Sequence, residues 1–201
     1  MSGNRFSILA AATLFFCAAA FSPAHAQGSR TVTDFTLQNA AKANVSLSSY
    51  ASNKAVVVVF INQNCTYSKL YQDRLSALAS TYGGRGVQFL FIDTPINLDA
   101  ANAGDAQRLS IKSSSGGIAY LTDEGQKASN LLGATKTPEV VVLQPASGGF
   151  AVRYKGGIDD NPQQESDARQ HYLAQVLDNL LAGRAAGVAD NRPAGCLIKK
   201  F

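Results

Sequence analysis

Ala55–Gly83, AVVVVFINQNCTYSKLYQDRLSALASTYG, is the stretch from which the fold is read. It opens with Ala55-Val56-Val57-Val58-Val59-Phe60-Ile61, a short apolar run rich in β-branched residues, the pattern of a strand buried on both faces. The period then changes. Tyr71, Leu75, Leu78 and Tyr82 recur at helical spacing, and Gly83-Gly84 ends the helix they predict. Between strand and helix lies Asn62-Gln63-Asn64-Cys65-Thr66-Tyr67-Ser68, which places Cys65 at the helix start. Unpaired N–H groups and the positive end of the helix dipole there favour thiolate over thiol. A free cysteine is more often a small buried hydrophobe. Its polar neighbours Asn62, Gln63 and Asn64 argue against that reading here.

On either side of this stretch the chain alternates strands and helices. Val87–Ile92 is a second buried strand, and the strand–helix–strand spacing implies a right-handed crossover and a parallel pair. Glu139–Leu143 and Phe150–Tyr154, joined by Ser147-Gly148-Gly149, form an antiparallel hairpin. Ile118–Leu121 is a short strand, followed by a helix that Thr122-Asp123 caps and that carries Leu131 and Leu132 to Gly133. Upstream, Asp34–Leu37 and Asn44–Leu47 alternate polar with apolar residues and form an N-terminal hairpin before the main sheet. Ser48–Lys54 is a short turn or helix.

Asp105 caps a short helix through Ala106, Leu109 and Ile111. Ser113–Gly117 is a connector, because no lysine or helix signature follows to make it a phosphate cradle. In Gly156–Pro162, Asp159 and Asp160 read as turn and cap residues rather than general acids or metal ligands. The last helix runs from about Ser166 to Leu181 on the stripe Tyr172, Leu173, Val176, Leu177 and Leu180. His171 lies beside that stripe as a surface or boundary residue, and no second histidine follows the N-terminal segment to support a metal site. Neither a metal nor an organic cofactor is expected.

Residues 1–26 have the form of a cleavable export signal: Arg5, the apolar stretch Phe6–Phe21, then Ala24-His25-Ala26 before Gln27. The apolar stretch is shorter than the roughly 20 residues a membrane span needs. A periplasmic location is expected, with one domain over residues 27–183 and a flexible tail over residues 184–201. The formal net charge of +4 is small and spread along the chain, which points to ordinary solubility rather than nucleic-acid or membrane binding. Cys17 leaves with the signal, so Cys65 and Cys196 remain. That even count permits one intramolecular disulfide, catalytic or structural, and is equally compatible with two free thiols.

Cys65-Thr66-Tyr67-Ser68 resembles the C-x-x-C active site of thioredoxin-like proteins, with Ser68 where the second cysteine stands. The surrounding FINQNCTYSKLYQDRL is similar to the redoxin branch related to the alkyl hydroperoxide reductase/thiol-specific antioxidant family. The resemblance implies an α/β thioredoxin-like fold, a central mixed sheet flanked by helices, with the N-terminal hairpin as an addition. Thr137-Pro138 matches the family's cis-proline, beside which the preceding residue's backbone pairs with an incoming peptide or thiol. Composition alone gives that bond only about a one-in-twenty chance of being cis. The ending Gly195-Cys196-Leu197-Ile198-Lys199 is similar to that of one group of redoxins, so the resemblance runs from about Asp34 to the C-terminus.

What the resemblance implies is a thiol–disulfide oxidoreductase. Cys65 and Cys196 are its catalytic candidates, and Thr137, Pro138, Thr66, Tyr67 and Ser68 its substrate-binding ones. Ser68 cannot resolve a mixed disulfide, since a hydroxyl does not exchange with sulfur. Either Cys196 or an external thiol resolves it, and a static Cys65–Cys196 staple uses the same bond. The partners implied are a disulfide substrate, protein or small molecule, and a thiol reductant. Two alternatives stand beside this. A thiol peroxidase of the peroxiredoxin type carries P-x-x-x-T-x-x-C, but Val58 and Asn62 occupy those positions here. A non-catalytic binding module would keep the disulfide permanently.

Overall fold

The valine run becomes the centre of a sheet. The computed structural model describes residues 30–97 and 120–201. Its strands are β1 (Thr31–Val32), β2 (Thr36–Gln38), β3 (Asn44–Ser46), β4 (Ala55–Ile61), β5 (Val87–Asp93), β6 (Tyr120–Thr122), β7 (Lys136–Thr137), β8 (Glu139–Ala146), β9 (Gly149–Gly156) and β10 (Cys196–Leu197). The helices are α1 (Thr66–Leu70), α2 (Gln72–Gly83), α3 (Lys127–Leu131) and α4 (Tyr172–Leu181). Eight strands form one mixed sheet in the order β1-β9-β8-β4-β5-β6-β2-β3, and β10 pairs separately with β7. The pairs β4–β5 and β5–β6 are parallel, as a crossover connection requires, and β8–β9 is the antiparallel hairpin.

All seven residues of β4 are buried because both of its faces are covered. Ala55, Val57, Val59 and Ile61 pack with Leu75, Ala79 and Tyr82 of α2 and with Leu173, Val176, Leu177 and Leu180 of α4. Val56, Val58 and Phe60 face the other way, into a cluster with Leu37, Leu47, Ala128 and Leu132. Each such valine or leucine contributes about 1.5–3 kcal/mol by leaving water. The strand therefore fixes the position of the loop at its C-terminal end, where Cys65 sits.

Three expectations are revised. The N-terminal hairpin β2–β3 forms, but β2 also pairs with β6, so the hairpin is the sheet's edge rather than a separate preceding unit. The helix after Cys65 is two helices, broken at Tyr71 (φ −88°, ψ −2°), whose phenol is drawn to Asp159. α4 starts at Tyr172 rather than near Ser166. The Asp160 carboxylate accepts the Arg169 and Gln170 N–H groups at 2.9 and 3.1 Å, which holds the approach to the helix in a loop. Asp159 holds the turn as expected, accepting Asn161 N at 3.0 Å, and its carboxylate is in addition buried against Arg74 at 2.5 Å. The expected signal at 1–26, the Asp105 helix, the Ser113–Gly117 connector, and Ile118 and Ala119 lie outside the described residues. Among the described residues no helix is long and apolar enough to cross a membrane.

Candidate functional site

Cys65 is the residue before the first turn of α1, with extended backbone (φ −82°, ψ 118°). Its N–H donates to Asn62 O at 3.1 Å, and its carbonyl accepts from Lys69 N at 3.1 Å. The turn ahead of it is closed by Asn62. The side-chain Oδ1 accepts from Asn64 N at 2.8 Å, Nδ2 donates to Thr94 O at 2.9 Å, and the backbone N–H donates to Ser68 Oγ at 3.3 Å. Ser68, in the place of a second cysteine, is fully buried and tied to the end of β4. Thr66 and Tyr67 stand exposed on the first turn of α1.

The Cys65 sulfur is bonded to Cys196, with the Cα atoms 5.9 Å apart. Cys65 is 0 % exposed, whereas Cys196 is half-buried. In β10, Cys196 lies opposite Thr137 of β7, and the Thr137 carbonyl oxygen is 3.0 Å from Cys65 Sγ. The Thr137–Pro138 peptide bond is cis. The structure therefore brings together Cys65, Cys196, Thr137 and Ser68, with Pro138 buried next to Thr137. A carbonyl facing the sulfur accepts an S–H, while the first-turn N–H groups of α1 favour the thiolate, so the two oppose each other in the reduced protein.

The tail is not a loose extension. Ile198 N donates to Thr135 O at 3.0 Å on one side of the tail strand. On the other, Asn97 N donates to Leu197 O and Lys199 N to Pro95 O, both at 2.9 Å. Ile198 is buried in the same cluster as Phe60, Ile92 and Leu121. Farther back, the Asp190 carboxylate accepts Lys155 N at 2.8 Å, and Asn191 Oδ1 accepts Gly157 N at 2.9 Å. These bonds run along β9 and correct the expectation of a flexible tail.

Two buried charges support the site, and the sequence marks neither. Glu139 follows Pro138, and its Oε2 accepts Thr135 N at 2.6 Å and Lys136 N at 3.2 Å. Its Oε1 meets Lys155 Nζ at 2.7 Å, so one paired carboxylate holds the backbone N–H groups of Thr135 and Lys136. Behind the helix break, Asp159 accepts the Tyr71 hydroxyl at 2.6 Å, and the Arg74 guanidinium lies 4.4 Å over the Tyr71 ring. Burial, and then the Asp159 acceptor, push the Tyr71 phenol well above the ordinary range. Glu139 reads as one more strand residue and Asp159 as a turn residue. Gly195 before Cys196 is the one visible hint of a tail held against backbone. Among the described residues no group of three or more His, Cys, Asp or Glu could hold a metal ion.

The profile of the AhpC/TSA family matches residues 29–161. Comparison with curated protein sequences finds no match. Among solved structures, an uncharacterized conserved protein from Geobacillus kaustophilus is 26 % identical, with a TM-score of 0.70 over 86 % of this chain and 92 % of that one. A hypothetical protein from Sinorhizobium meliloti 1021 is 24 % identical, with a TM-score of 0.69 over 86 % of this chain and 94 % of that one. Both have this fold over nearly their full length.

Proposed function

This chain belongs to the AhpC/TSA family and is an oxidoreductase of the thioredoxin-like redoxin class, and from that premise we infer that it exchanges disulfides through Cys65, with Cys196 as resolving thiol. The observation that carries the reading is the Cys65–Cys196 bond, which joins the cysteine at the start of α1 to one on the tail strand beside Thr137. In the reduced protein, the Cys65 thiolate attacks one sulfur of a substrate disulfide. A Cys65–substrate disulfide forms, and the second substrate sulfur leaves as thiolate and takes up a proton. Cys196, as thiolate, then attacks Cys65 Sγ, and the first substrate sulfur leaves in turn. The substrate gains two electrons, the protein's two thiols lose them, and an external dithiol restores the reduced form.

Asn62 supports exchange over peroxide chemistry. It stands where a peroxidase has its threonine, but it brings no hydroxyl, and its amide is committed to backbone: Oδ1 accepts from Asn64 N and Nδ2 donates one of its hydrogens to Thr94 O. The export pattern of residues 1–26 supports a periplasmic setting, where such exchange has substrates.

The test treats reduced residues 27–201 with one equivalent of hydrogen peroxide or, separately, with a disulfide substrate, and follows both cysteines by mass spectrometry. Fast exchange with the disulfide, slow reaction with peroxide, and a mixed disulfide trapped on Cys65 in Cys196→Ser are the expected results. Rapid peroxide-driven formation of the Cys65–Cys196 bond would make this a peroxidase instead. Inertness to both reagents would leave a binding module.

A further inference from the structure

Gly195–Lys199 fills a slot one strand wide. One wall is Thr135–Thr137, which pairs with Cys196 and Leu197 and accepts Ile198 N. The other is Pro95–Asn97, bonded to Leu197 O and Lys199 N and bridged from Ile96 to Ile198. With both hydrogen-bonding edges engaged, no second strand can enter beside the first.

The slot is selective in its side chains. A Cβ on Gly195 would stand 2.5 Å from Thr137 O and 3.0 Å from Thr137 C, which are backbone atoms that cannot swing away. Only glycine fits there. The next residue presents its sulfur to Cys65. Leu197 is 57 % exposed, so that position accepts any side chain, whereas Ile198 is 5 % exposed and packs in the core. The slot therefore selects glycine, cysteine, any residue, then an apolar residue.

We propose that this slot is the substrate site for an extended polypeptide segment of that pattern whose cysteine is held in a disulfide, and that the protein's own Gly195–Lys199 is the resident competitor. The proposal rests on the exchange chemistry above. In the reduced protein the tail strand opens for a minor fraction of the time, and in those openings the substrate strand pairs with Lys136–Thr137 and Pro95–Asn97. The substrate cysteine then occupies the seat of Cys196. Cys65 thiolate attacks its sulfur, and the bond to the substrate's second sulfur breaks, that sulfur leaving as thiolate and taking a proton. When the tail strand returns it displaces the substrate strand, and Cys196 thiolate attacks Cys65 Sγ. The Cys65–substrate bond breaks and the substrate departs as a thiol, two electrons richer. An external dithiol then resets the protein. Ser68 needs no sulfur in this cycle, because the resolving cysteine arrives by strand exchange.

The test uses the reduced chain 27–201 and the peptide Pro-Ala-Gly-Cys-Leu-Ile-Lys, its cysteine joined to glutathione, with release of glutathione, the product of the capture step, followed by mass spectrometry. Valine for the peptide's glycine, or aspartate for its isoleucine, should slow exchange about tenfold or more, as forced overpacking or a buried charge would. Serine for its leucine should change the rate less than about twofold, as expected at an exposed position. Within the chain, Gly195→Val should loosen the tail strand and speed exchange with the parent peptide. Equal rates for all four peptides would overturn the slot while leaving the exchange chemistry standing. Failure of every disulfide, glutathione disulfide included, would overturn both.

Discussion

Arg74 and Asp159 keep two opposite charges out of water at 2.5 Å, and their neighbours leave neither short of partners. Arg74 also donates to Asn161 O at 2.7 Å and Pro162 O at 2.9 Å, while Asp159 takes the Tyr71 hydroxyl. Removing one charge strands the other. Asp159→Asn should lower stability by about 3–5 kcal/mol in urea unfolding, and the double substitution Arg74→Met with Asp159→Leu should cost less than that single change. A single substitution costing under about 1 kcal/mol would show that the pair holds nothing together. The same burial governs the alkaline limit. Tyr71 and Tyr154 are both raised, each first by burial and Tyr71 further by Asp159. A phenol whose folded pKa exceeds its unfolded value near 10 stabilises the fold fully below that pH, and the contribution is lost as pH rises above it. Absorbance at 295 nm should therefore show these two tyrosines ionising only together with unfolding, whereas early titration of both would contradict the buried geometry.

The start of α1 is legible in the sequence because its signals are local. The β-branched run, the change of period and the cysteine between them lie within Ala55–Gly83. The break at Tyr71 is not legible, because Tyr71, Leu75 and Tyr82 keep helical spacing straight through it. Asp159, which draws the Tyr71 phenol, lies 88 positions downstream. The tail strand is harder still. β10 is two residues long, too short for any period, and its neighbours Thr135–Thr137 and Pro95–Asn97 come from separate parts of the chain. Cysteine count permits the bond to Cys65, but only the structure shows hydrogen bonds that do not depend on it. Those bonds predict that the Ile198 and Lys199 amides stay protected from hydrogen exchange by about tenfold or more after reduction. Exchange at the rate of an unstructured peptide in the reduced protein would mean that the disulfide alone holds the strand.

Joining Cys65 to Cys196, at a separation of 131 residues, ties the end of the central strand to the end of the chain. In the chain-entropy description a loop of that length removes freedom from the unfolded state worth about 4–5 kcal/mol. Oxidation and folding are linked, so the bond that stabilises the fold is itself favoured by the fold to the same extent. At 1.4 kcal/mol per 30 mV for a two-electron couple, the folded chain's disulfide should be about 100 mV more reducing than the same pair in the unfolded chain. That shift alone does not separate a redox-active bond from a staple; where it ends does. We expect equilibration with thiol–disulfide redox buffers to place the folded couple between about −120 and −270 mV, the range of proteins that cycle their disulfides. Urea unfolding of the oxidised and reduced forms should differ by the 4–5 kcal/mol of loop closure. A potential below about −300 mV with the same stability difference would mean that Cys196 is a permanent staple and that the exchange assigned to Cys65 is wrong.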